Sequence, residues 1–124
     1  MTMRVYYDAT DAGGVVYHSN YLTFCERARS EIFYAHGKSP IVDGGHFVVK
    51  HVVADFKKSA KLGDLLEVKS FLLELKNASL HVKHIISREE EELFVMEAVL
   101  AFVKEGKPSK IDEETKAFFK AVLL

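Results

Sequence analysis

A chain of 124 residues has room for one hydrophobic core of ordinary size and not for two. Hydrophobic residues at 48% and charged residues at 28% suit a packed globular domain rather than a disordered tail. With 17 basic and 18 acidic side chains the formal charge is -1, which leaves no broad basic field to hold a nucleic-acid backbone.

One domain over residues 1–124 is therefore expected. The first residues, Met1 to Asp8, lack the apolar stretch of a secretory signal. The longest apolar run, residues 93–103, is interrupted by Glu97 and falls short of the roughly 20 residues a membrane-spanning helix needs. A single cysteine, Cys25, cannot form an internal disulfide and fits a reducing compartment, so the cytoplasm is the expected location.

In chain order, residues 3–7 read as a short strand with Met3, Val5 and Tyr7 on one face, followed by a turn at Asp11-Ala12-Gly13-Gly14. The period then changes. Tyr21, Phe24, Cys25, Ala28, Ile32 and Ala35 recur at helical spacing, with Asn20 placed as an N-cap and Gly37 placed to end the run. After the Asp43-Gly44-Gly45 punctuation come four β-like runs, residues 46–56, 65–75, 80–87 and 93–104, separated by Gly63-Asp64, Asn77-Ala78 and Arg88-Glu89-Glu90. These connections are too short for helical crossovers, so the strands pair antiparallel. The last segment, with Asp112 as N-cap and an apolar stripe of Phe118, Phe119, Val122 and Leu123, reads as a short helix.

The expected fold class is thus α+β, an antiparallel sheet of about five strands packed on one long helix. In the last strand both faces are apolar: Leu93, Val95, Val99, Ala101 and Val103 alternate with Phe94, Met96, Ala98, Leu100 and Phe102. One helix covers one face. The other calls for a partner subunit or the C-terminal segment, and a homo-oligomer is the favoured expectation.

The stretch from Tyr7 to Tyr21 places Asp8, Asp11, Gly13, Gly14 and His18 just before a helix start. Helix N–H groups and the positive dipole end stabilise the negative charge a carbonyl oxygen acquires when it is attacked. Glycines let backbone approach a ligand closely, and Asp11 is placed to act as base or nucleophile. By pattern alone, an aspartate before glycines also describes an ordinary solvated turn, and His18 an ordinary surface residue.

The run Arg4-Val5-Tyr6-Tyr7, Thr10-Asp11-Ala12-Gly13-Gly14-Val15-Val16-Tyr17-His18, Asn20-Tyr21-Leu22 and Glu26-Arg27-Ala28-Arg29 resembles the acyl-CoA thioesterases of the 4-hydroxybenzoyl-CoA thioesterase family, particularly their Tol-Pal-associated branch. The likeness continues more loosely through residues 47–50, 54–56 and 59–68. It implies a hot-dog fold, in which the sheet wraps the long helix, and dimers paired into tetramers with sites at subunit interfaces. It also places Asp11 on the family's catalytic aspartate and the His18 N–H where the thioester carbonyl is polarised. The His18 side chain would orient water, substrate or Asp11, while Asn20 would fix the turn or cap the helix and Tyr17 would line the acyl pocket. Gly14 belongs to the same substrate-binding turn. Ala9, Phe56 and Ser59 depart from the branch, where an acid, a tyrosine and a proline are common.

Lys57, Lys58 and Lys61 form a basic cluster able to meet the phosphates of coenzyme A, although a solvated strand end has the same appearance. Glu89 to Glu92 read as a solvated turn, Arg27 and Glu31 as a surface pair, and Cys25 as a packing residue on the apolar helix face. Glu26 ranks well below Asp11 as a catalytic acid. His81 and His84 fall on opposite faces of a strand, and neither a metal nor a redox cofactor is expected. The expected substrate is an acyl thioester of coenzyme A or acyl carrier protein. The alternatives are a non-catalytic acyl-thioester binding module and, more weakly, a hydratase or dehydratase on the same fold.

Overall fold

In the computed structural model, which describes residues 1–123, a six-stranded antiparallel sheet curves around a central helix. The strands are β1 (Thr2–Arg4), β2 (His46–Phe56), β3 (Leu65–Leu75), β4 (Ser79–Arg88), β5 (Glu91–Lys104) and β6 (Lys107–Pro108), and the helices are α1 (His18–Ala35) and α2 (Glu113–Val122). Strand order is β1-β3-β4-β5-β2, with the two-residue β6 paired to the end of β5.

The inner face of the sheet follows from alternation. Leu80, Val82, His84 and Ile86 of β4 and Phe94, Met96, Ala98, Leu100 and Phe102 of β5 are buried, and they meet Tyr21, Phe24, Cys25, Ala28 and Phe33 of α1. Fully burying a side chain such as Phe94 or Ile86 contributes roughly 1.5–3 kcal/mol. Two β-bulges, between Val49 and His51 and between Leu72 and Glu74, reverse the phase of β2 and β3. Before the bulge Phe47 packs inward, and after it Val52 and Ala54 do; in β3, Leu66, Val68 and Leu72 give way to Leu75. An extra residue bends a strand and increases its twist, which lets these strands curl over the helix.

Three boundaries differ from expectation. The first strand ends at Arg4 because residues 7–9 coil into a 3-10 turn, so Val5 is buried while Tyr7 is 82% exposed. Helix α1 begins at His18 rather than after Asn20: Tyr17 is the N-cap residue, without a side-chain cap, and the Asn20 side chain is engaged elsewhere. The acidic run is a turn only at Glu89 and Glu90, since β5 starts at Glu91. At the other end of α1, the N–H groups of Gly37 and Lys38 donate to the Tyr34 and Phe33 carbonyls, and Gly37 adopts φ +69. This left-handed closure is the reason a glycine follows the helix.

Helix α2 is capped by the Asp112 carboxylate, which accepts from the Thr115 N–H at 2.7 Å. It packs on the inner side, with Phe119 against Phe33 and Phe47, and so does not cover the outer face of β5. Val95, Val99, Ala101 and Val103 on that face stay half-buried in the single chain.

Candidate active site

Asp11 to Gly14 close a tight turn. The Asp11 N–H donates to the Val15 carbonyl at 2.9 Å, the Gly14 N–H donates to the Asp11 carbonyl at 3.1 Å, and Thr10 and Val16 face each other across an antiparallel bridge. Gly14 sits at φ +78, a conformation costly for a residue with a Cβ. One oxygen of the Asp11 carboxylate accepts from the Gly13 N–H at 2.8 Å, and a Cβ at Gly13 would crowd that oxygen at 3.3 Å. The Asp11 side chain is exposed, held in place by its own turn.

Two neighbouring elements fix this turn relative to the start of α1. The Ala9 carbonyl accepts both the Tyr17 N–H and the Asn20 side-chain amide, each at 3.0 Å, so Asn20 ties the chain before Asp11 to the first turn of the helix. On the other side, Val16 donates to the Ala60 carbonyl and Leu62 to the Gly14 carbonyl, which sets Val15 opposite Lys61. The buried Tyr21 hydroxyl accepts the Ala60 N–H at 3.0 Å, while its ring stacks on Phe94 with centroids 5.0 Å apart. Asp11 is thus an exposed carboxylate on a turn clamped to a buried aromatic cluster.

His18 is the first residue of α1, and its N–H belongs to the group of helix-start donors with no intrahelical acceptor. Its ring lies 4.3 Å from that of Tyr17, and both side chains are exposed. Asp11, Gly14, Tyr17, His18 and Asn20 therefore fall on one turn and one helix start, with Lys61 alongside.

The basic cluster is less free than the sequence implied. Lys57 pairs with Glu92 at 2.9 Å and Lys58 with Glu91 at 2.6 Å. The hydrogen bond to Glu92 pushes the Lys57 pKa up, and bonds to Lys57 and Lys58 hold the two carboxyls below their usual range. Exposed pairs of this kind contribute little to stability and exchange readily for another anion. Among the described residues, Lys61 makes no ion pair; its backbone N–H donates to Asp64, which also accepts from Arg88 at 2.6 Å. Partial burial works to raise the Asp64 pKa, but these donors outweigh it and lower it.

Other candidates fall away on geometry. Cys25 is fully buried, and burial pushes its thiol up to about 12, out of reach of a thiolate mechanism. Arg27 and Glu31 are not among the ion pairs of the described residues. His81 pairs with Glu97 at 3.0 Å on the outer face, whereas His84 is buried on the inner one.

The model of the thioesterase superfamily matches residues 13–95, two thirds of the chain. The chain belongs to the thioesterase superfamily. The superfamily match starts two positions after Asp11, at the glycine whose N–H holds the Asp11 carboxylate. Within the superfamily, the chain is similar to the acyl-CoA thioesterase YbgC of Helicobacter pylori, with 49% identity over 76 residues covering 61% of this chain and 57% of that protein. It is also similar to the acyl-CoA thioester hydrolase YbgC of Escherichia coli O6:H1, at 34% identity over 95% of this chain and 92% of the relative. Among solved structures, a probable thioesterase from Bartonella henselae superposes with a TM-score of 0.85 at 32% identity, covering 90% of this chain and 97% of that one. The wrapped sheet is the hot-dog fold of this superfamily.

Proposed function

We propose that the protein is an acyl-CoA thioesterase, hydrolysing an acyl thioester to free acid and thiol with Asp11 as the central catalytic residue. The observation that carries this reading is the Asp11 turn: an exposed carboxylate, fixed by its own backbone, clamped beside the first turn of a long helix. The relatives named as YbgC thioesterases support the reaction class.

Two routes fit the site. In one, an Asp11 oxygen attacks the thioester carbon, the C–S bond breaks, the thiolate takes a proton from solvent, and water hydrolyses the resulting mixed anhydride to regenerate the carboxylate. In the other, Asp11 removes a proton from a water that attacks directly, and that proton passes to the departing thiolate. In both, helix-start N–H groups, His18 among them, stabilise the carbonyl oxygen as it becomes negative. The His18 ring orients water or substrate, and Tyr17 and Gly14 border the acyl group. Lys61, with Lys57 and Lys58 once their glutamates yield, faces the phosphates of coenzyme A, while phosphopantetheine on acyl carrier protein is the other carrier the turn accommodates. Neither route uses a metal or redox cofactor.

The same reading includes a cytoplasmic homo-oligomer, a tetramer built as a dimer of dimers. Strand β2 is an 11-residue edge with Val48, Val49, Val53 and Phe56 exposed, and the outer face of β5 is apolar and only half-buried. No helix of the described residues is long and apolar enough to cross a membrane. Free-thiol release from short, long and aromatic acyl-CoA substrates and from acyl carrier protein thioesters tests the activity. A single turnover in ¹⁸O-water tests the anhydride: label appearing in the Asp11 carboxylate requires it, because direct water attack sends label only into the product acid.

A further inference from the structure

On the inner face of the sheet, three polar side chains from three elements meet. Arg29 of α1 places a guanidinium nitrogen 3.2 Å from His84 Nε2, and Ser70 Oγ of β3 lies 2.8 Å from His84 Nδ1. Arginine only donates, so His84 Nε2 accepts, Nδ1 carries the ring proton, and Ser70 Oγ receives it. The His84 ring is fully buried, and burial, reinforced by Arg29, depresses its pKa to about 3, which keeps it neutral. The assignment leaves two kinds of donor unspent: the Ser70 hydroxyl proton and the remaining N–H groups of Arg29.

Those donors face a cavity. About 400 Å³ in volume, it lies between α1, β2 and α2, and Phe47, Val82, Leu100 and Phe119 supply apolar wall while Arg29, Ser70 and His84 supply the polar part. This is the size and make-up of a small-molecule site, an apolar vessel with a few convergent polar groups. Glu26 and His46 stand at its exposed rim. Among the described residues, Arg29 takes part in no ion pair, so the nearest carboxylates, including Glu26, lie beyond 4 Å of its nitrogens. The cavity is also apart from the Asp11 turn: Glu26, its nearest helical lining residue, is eight positions beyond His18, roughly 12 Å along the helix axis.

We propose that this cavity binds an amphiphilic monocarboxylate, its carboxylate received by Arg29 and Ser70 and its hydrocarbon body by the apolar wall. Charge selects the head group, because the polar end presents a cation and two kinds of free donor, while its acceptors are limited to the second lone pair of Ser70 Oγ and to Glu26 at the rim. A carboxylate accepts from both and offsets the Arg29 charge, whereas an ammonium is repelled by that guanidinium. His84 is a positioning residue: by spending its one acceptor on Arg29 and its one donor on Ser70 it aims both toward the cavity. The assignment stands on the cavity's own geometry, whatever the Asp11 turn catalyses. On the reading above, the acid released by hydrolysis belongs to the ligand class.

The test is calorimetric binding of octanoate to the intact protein, with 1-octanol and octylammonium as tail-matched controls. Octanoate is expected to bind at least tenfold more tightly than either control. Ser70→Ala should weaken octanoate several-fold, Arg29→Met should abolish the preference over octanol, and Glu26→Gln should strengthen octanoate by removing a like charge at the rim. His84→Gln, which retains one acceptor and a donor, should preserve binding that His84→Leu loses. Equal binding of octanoate and octanol by the wild type, or no octanoate binding, overturns the proposal without requiring any variant to fold. So does an unchanged preference in folded Arg29→Met.

Discussion

Around Asp11 the side-chain hydrogen bonds of the turn span at most 11 positions in the chain, lie near the surface, and are backed by backbone hydrogen bonds to residues 60–62. Around His84 the polar groups come from α1, β3 and β4, up to 55 positions apart, and are held by burial in the inner layer. An exposed carboxylate keeps its charge through contact with water and needs only a fixed direction. A buried imidazole survives between an arginine and a serine only because every polar atom it carries is bonded. One region can thus be altered at small cost to the fold, and the other cannot.

The largest consequence concerns pH. In the unfolded chain His84 binds a proton near 6.5, whereas in the fold it does so only near 3. Between those values the unfolded state holds more protons, so stability falls as pH drops, by up to roughly 1.4 kcal/mol per pH unit. Urea titrations from pH 7 to 4 should show this slope in the wild type and lose that component in His84→Gln. At neutral pH, His84→Leu should cost about 2–3 kcal/mol, since it strips a guanidinium and a hydroxyl of their buried partner.

Smaller effects belong to the clamp. Tyr21→Phe leaves the buried Ala60 N–H without its acceptor and should cost about 1–2 kcal/mol in chemical denaturation, while loosening the strand opposite Val15. Gly14→Ala must hold an alanine at φ +78 and should cost roughly 1 kcal/mol, with thiol release falling more than stability because the Asp11 turn shifts. Equal losses at Gly14 and His84 would erase the contrast between the two regions.

The same contrast explains what could be read from the sequence. The strands, the helix at period 3.6 and the Asp112 cap are local patterns, and each is found within a few residues of its expected place. Asp11 and its glycines were legible because the whole turn is contiguous. Residue type alone suggests Asn20 as the helix cap, but its amide is drawn to the Ala9 carbonyl 11 positions back. The bulges at Val49/His51 and Leu72/Glu74 leave no local mark, because a bulge is a feature of the pairing between two strands rather than of one strand's own residues. The Arg29, Ser70 and His84 cluster leaves only part of its signal in the sequence. His84 falls in phase with Leu80, Val82 and Ile86, so a buried histidine was readable, but its partners depend on tertiary packing.

The central claim is that Asp11 carries the chemistry, and its most direct test compares free-thiol release by wild type and Asp11→Asn on the best acyl-CoA substrate. Asparagine keeps the size of the side chain and an oxygen for the Gly13 N–H, so both proteins should show the same unfolding midpoint to within about 0.5 kcal/mol. The account predicts a loss of a hundredfold or more in kcat with the fold intact. Undiminished turnover by a folded Asp11→Asn protein would contradict it.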